Sequence, residues 1–173
     1  ASGKNYQVFS DTNGAVSSLF GSAQTSFTET LVANTTFTRY VQVSGCGNSA
    51  NSSPDTLATL TKLPSPLAES FLQVGASSMT VQWVAFPLSP SSASSRGYRL
   101  ETSSTNFGVV SPGGATISSV TSNVALSTLT VFSPALLANT TYYFRAAGLN
   151  WVVAVSSYTA LGSTATLADD PIA

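Results

Sequence analysis

"LLANTTYYFRAAG", running from Leu136 to Gly148, has a near twin earlier in the chain: "LVANTTFTRYVQVSG", from Leu31 to Gly45. Both spell Leu-x-Ala-Asn-Thr-Thr-aromatic and then continue as a run of aromatic and β-branched residues, the composition of a strand. Asn139 follows Asn34 by 105 residues. That is about the length of one small β-sandwich, so the chain reads as an internal repeat.

Around the second copy, "SSMTVQWVAF" alternates, with Met79, Val81 and Trp83 on one face and Thr80 and Gln82 on the other. This is the pattern of a strand with one buried side. "LAESFLQVG" precedes it as an opening strand. A Ser/Pro loop, "PLSPSSASS", leads to the strand "GYRLETSS", then a long Gly/Ser stretch around "SPGGATISS", then the strand "ALSTLTVF". After the corner "SPALLANTT" come the strand "YYFRAAGL", a hydrophobic loop "NWVVAVSSYTALG" and a closing strand "STATLA". Short strands over about 100 residues, separated by turn chemistry, describe a two-sheet sandwich. Composition agrees: 43% of the 173 residues are hydrophobic, only 8% are charged, and 30 serines and 22 threonines supply the polarity. No window carries apolar residues at i, i+3, i+4 and i+7 over three turns, so the fold class is all-β.

Trp83 in the second strand, "GYRL" in the third, and Leu136, Thr140 and Tyr142 entering the sixth resemble a fibronectin type III domain, over roughly residues 65–168. The family's corner proline is Ala138 here. In that family the tyrosine ties the crossing between sheets through its hydroxyl, which implies that Trp83, Tyr98 and Tyr142 are core residues. The first copy aligns from its third strand onward, with Tyr6 over Tyr98 and "LATLTKLP" over "TATLADDP". Its Trp strand and the strand before that are missing, and Phe37 stands where the family has Tyr. Tyr6 and Phe37 are then its expected core residues. The expected organisation is two immunoglobulin-like (fibronectin type III) β-sandwiches in tandem. An incomplete one spans residues 1–63 and a complete one spans 64–170, with 171–173 starting a linker or donated segment.

Catalytic, cofactor-binding and metal-ligating residues are not expected. The sequence has no His, which removes the commonest general base and a common metal ligand. Its seven acids, Glu101 among them, read as solvated surface groups, since only Asp169 and Asp170 are adjacent. Net charge is −1 and the six basic residues are scattered, which argues against nucleic acid. No apolar stretch approaches the roughly 20 residues of a membrane span. Three Asn-x-Ser/Thr sequons make Asn51, Asn34 and Asn139 candidate glycosylation sites. Cys46 is the lone cysteine and reads as a small half-buried thiol. In the loop after the sixth strand, Trp151, Val152, Val153 and Val155 form an apolar tip, either a candidate interface or a segment folded back onto its own sandwich.

These features point to a non-enzymatic extracellular structural protein, with tandem modules joined head to tail into a stalk, surface layer or filament. The partners are copies of itself and a covalent glycan, and strand complementation would complete the first copy. Resemblance to bacterial secreted and cell-surface repeat proteins implies the location and a role in adhesion. The alternative is a spacer or carbohydrate-binding module of a larger secreted polysaccharide-degrading enzyme, with Tyr143 and Tyr158 as the candidate stacking residues.

Overall fold

Strands β1 (Asn5–Ser10), β2 (Gly14–Ala15), β3 (Phe20–Gly21), β4 (Thr36–Ser44) and β5 (Asp55–Ala58) form one antiparallel sheet. Its order is β2-β1-β4-β5, with β3 also paired to β1. Two further sheets follow, built from β6 (Ser65–Val74), β7 (Met79–Val84), β8 (Gly97–Ser103), β9 (Ile117–Thr121), β10 (Thr128–Val131), β11 (Thr141–Leu149) and β12 (Thr159–Ala165). They run β10-β7-β6 and β12-β11-β8-β9, and every pairing is antiparallel. The computed structural model describes residues 4–10, 14–15, 20–21, 24, 26–45, 47–108 and 116–169. Cys46 and the segment 171–173 lie outside them.

In the second unit the alternation of β7 works as a one-sided strand should. Met79, Val81 and Trp83 are buried, while Thr80 and Gln82 face partly outward, Thr80 hydroxyl-bonded across the sheet to Thr130 at 2.8 Å. From the facing sheet, β8 sends in Tyr98 and Leu100, β11 sends in Tyr142, Phe144 and Ala146, and β12 adds Leu161. Trp83 packs on Tyr98 with ring centroids 5.0 Å apart, and Phe71 meets Phe144 edge-on at 5.4 Å. Residues 65–169 therefore close a core of their own. Gly97 lets β9 pair with β8, because a Cβ there would run into the Thr121 carbonyl.

Two element boundaries differ from the sequence reading. The stretch read as Gly/Ser connection contains β9, and β12 begins at Thr159, inside the stretch read as a hydrophobic loop.

Among the described residues the first unit is a single sheet. On β1 and β4, Tyr6, Val8, Phe37, Arg39, Val41 and Val43 share one face by alternation. Among the described residues no second sheet covers that face. Val8 is buried, but Tyr6 and Phe37 are only half-buried and Val41 is 37% exposed. Tyr6 and Phe37, expected in a core, are half-buried, less enclosed than their counterparts Tyr98 and Tyr142 of the second unit. Arg39 takes the place that Phe144 holds in the second unit, 105 residues on. It is ion-paired with Glu29 at 2.7 Å.

Candidate functional site

The repeated words build the same corner twice. Asn34 and Asn139 both adopt a left-handed backbone, φ 48 and 51, which Asn tolerates better than most side chains. The Thr35 and Thr140 amides donate to the Thr59 and Thr166 hydroxyls at 3.0 and 2.9 Å. Those hydroxyls donate on to the Val32 and Leu137 carbonyls, each at 2.6 Å. The Asn34 and Asn139 amides donate to Leu60 and Leu167 at 2.9 and 3.0 Å. Only the second corner has a tyrosine, whose hydroxyl accepts the Leu137 amide at 3.0 Å. Replacing Tyr142 with Phe is expected to cost about 1 kcal/mol, the net worth of one hydrogen bond. Denaturant titration measures it, and a change within error would show that the corner does not depend on this bond.

In the first unit the corner is also a clamp on the second. The Asn34 side-chain nitrogen donates to the Ser91 and Ser94 carbonyls, both at 3.0 Å, and its oxygen accepts the Trp151 amide at 3.2 Å. From the other side, the Asn150 side-chain nitrogen donates to the Thr59 carbonyl at 3.1 Å. Asn150 also shapes its own loop, its side-chain oxygen accepting the Val152 and Ala154 amides. Thr61 lies against Gly148, leaving no room there for a Cβ. Polar groups thus fix the orientation of one unit on the other, where small contacts between domains ordinarily permit motion.

Asn34 is 1% exposed with its amide nitrogen fully used, so it is not the exposed glycan acceptor that its sequon implies. Asn51 and Asn139 are exposed. Of the candidate interface residues, Trp151, Val152 and Val153 are exposed at the loop tip, at 41, 61 and 48%. Val155 is half-buried and bridges back to Leu149. The Trp151 amide of that loop is held by Asn34 of the first unit. Sequence reasoning missed Asn150, Ser91, Ser94 and Thr61. The available signal was Asn150 itself, which stands where the first copy has Gly45.

A second cluster lies on the outer face of β8 and β11. Glu101 is 8% exposed and takes the Arg145 guanidinium at 2.7 Å, Arg99 at 3.4 Å and the Tyr158 hydroxyl. The reading of Glu101 as a solvated surface acid is corrected: the β8–β11 register sets Arg145 directly opposite it. Arg145 is sandwiched between Phe107 and Tyr158, 3.9 and 4.2 Å from the ring centroids. Phe107 is delivered by a turn in which the Ser103 hydroxyl accepts the Thr105 and Phe107 amides. An open groove of about 540 Å³ runs past Phe107, Tyr143, Arg145 and Tyr158.

Burial, then the hydrogen bond and charge of Glu101, push the Tyr158 hydroxyl up to about 12. The proton is held more tightly in the folded state than in the unfolded one, where a tyrosine titrates near 10. The associated stability is complete below about pH 10 and is lost as pH rises toward 12. Urea melts across that range are expected to show the decline, and Tyr158→Phe to reduce it. An unchanged decline in the variant would move its origin elsewhere.

Among solved structures the chain is similar to the FN1–FN3 domains of chicken CNTN1, at 13% identity and a TM-score of 0.50, covering 95% of this chain and 57% of that one. The fold is that of fibronectin type III. A two-domain fibronectin type III segment from chicken tenascin follows at 18% identity, TM-score 0.48, covering 95% and 84%. The third fibronectin III domain of the human KIAA0343 protein gives 13% identity and TM-score 0.47, covering 65% and 87%. No family model matches the sequence, and no curated protein matches it. Among the described residues no group of three or more His, Cys, Asp or Glu is placed to hold a metal. Among the described residues no helix is long and apolar enough to cross a membrane.

Proposed function

We propose that this protein is a non-enzymatic extracellular structural protein, its sandwiches joined head to tail into a stalk, surface layer or filament. The observation that carries this reading is the single-sheet first unit. It presents Tyr6, Phe37, Val41 and Val43 partly uncovered on one face, and at its other end it is clamped to a complete sandwich. A neighbouring copy that adds strands would cover that face and pair the sheet edge, which is otherwise a template for unwanted association. The contact is heterologous, so it propagates unless its rotation closes a ring.

Sedimentation velocity tests the step. Assemblies that grow with concentration are expected, and Val41→Glu is expected to abolish them by placing a charge in the covered face. A monomer at every concentration overturns the reading. A glycan completes the proposal, with exposed Asn51 as its site. Mass spectrometry of native material is expected to find the peptide containing Asn51 heavier than its sequence, and the unmodified mass alone contradicts it.

One observation favours a second reading, a carbohydrate-binding module. Tyr143 and Tyr158 line the same groove, with Arg145 beside them. Retardation on polysaccharide gels that is lost in Tyr143→Ala supports it. Against it, the faces of Phe107 and Tyr158 toward Arg145 are already taken by the guanidinium.

A further inference from the structure

The two corners act as a control for each other. They share a backbone conformation and, apart from the Tyr142 bond, the same internal hydrogen bonds, yet Asn34 is 1% exposed while Asn139 is exposed. The difference is what sits on them. Asn34 holds the Ser91 and Ser94 carbonyls and the Trp151 amide, whereas the Asn139 side chain makes no hydrogen bond among the described residues. The residues around the corner follow the same division. Thr61 is buried at the junction, and Ala168, 107 residues later, is exposed.

We infer that the Asn139 corner is a docking surface for a further sandwich of the same kind as residues 65–169. The asparagine side chain would take two backbone carbonyls of the incoming Ser-rich loop and one amide of the loop after its sixth strand. The Thr166 carbonyl, placed as the Thr59 carbonyl is, would accept from the asparagine of that second loop. The recognised chemistry is therefore a loop pair with two free carbonyls, a free amide and an asparagine.

This requirement selects the partner. A second copy of the chain does not fit through its complete sandwich, because that loop pair is already held by its own Asn34 and Thr59. Its first unit does not fit either, since Gly45 stands in place of Asn150. The occupant is a sandwich with an uncovered loop pair, joined in tandem. The polar character of the contact matters here, because three or four hydrogen bonds hold a partner weakly in trans but firmly when a short linker supplies a high effective concentration. The inference rests on the reading of the protein as a tandem array and names the surface by which that array continues.

The test joins residue 171 to a second copy of residues 65–169, reproducing the spacing between Thr59 and Ser65. Residues 65–169 close their own core, so the added unit folds. Asn→Gly is the substitution of choice, since glycine accepts the left-handed backbone and only the side chain is lost. Distances between spin labels on successive units report each junction. One narrow distance distribution is expected at both junctions. Asn139→Gly is expected to broaden the second as Asn34→Gly broadens the first, and to leave the melting temperature of the 173-residue chain unchanged. A second junction that is already broad, or that is indifferent to Asn139→Gly while the first responds to Asn34→Gly, overturns the inference. The outcome is independent of whether native copies assemble in solution, so failure of the array reading is read separately, by sedimentation.

Discussion

Replacing Trp83 with alanine is expected to destabilise the complete sandwich by about 3–5 kcal/mol, the range for truncating a fully buried large aromatic. Trp83 is 0% exposed and lies against Tyr98, itself 0% exposed, so the space it leaves is walled by residues that cannot relax into it. Tyr98 is further pinned, its hydroxyl donating to the Val124 carbonyl at 3.1 Å and accepting the Phe86 amide. A loss of this size is a large fraction of the roughly 5–15 kcal/mol that holds a typical domain. Trp83→Phe refills much of the volume and is expected to recover more than half of the loss. Denaturant unfolding followed by far-ultraviolet circular dichroism measures both. A loss below about 1 kcal/mol for the alanine variant, typical of an exposed site, contradicts the assigned core.

Asn34→Ala is expected to release the first unit from the second. Two carbonyls and one amide lose their partner, and a buried polar group left unpaired costs about 1–3 kcal/mol. Water can reach an opened junction, so the net loss is expected near 2–3 kcal/mol rather than the full sum. The alanine must also hold a left-handed backbone, at a further cost of about 1 kcal/mol. Asn34→Gly separates the two contributions, since it loses the side chain without the backbone penalty. Hydrogen exchange of the Trp151 amide, which Asn34 now accepts, is expected to accelerate at least tenfold in both variants. Protection equal to that of the unaltered chain would show that the clamp does not hold the units together.

The fold was readable where a single strand carried its own evidence. β7 alternates cleanly, and the corner word, being repeated, fixed the period of the chain. β9 was hard to read because its two apolar residues face opposite ways: Ile117 packs against the core, but Val120 is 59% exposed while Ser119 and Thr121 are half-buried. The role of Asn34 was hidden for a different reason. Its partners are 57, 60 and 117 residues away, and the identical word at Asn139 makes no such contact. What the motif specifies is the corner, and what stands opposite the corner decides whether its asparagine is buried. The Glu101 cluster required the β8–β11 register, which neither strand's sequence supplies alone.

Electron microscopy of native material decides whether these sandwiches are structural units of an extended assembly. Stalks, sheets or filaments are expected, with an axial repeat that corresponds to successive sandwiches. Dispersed single particles no larger than one chain would contradict it.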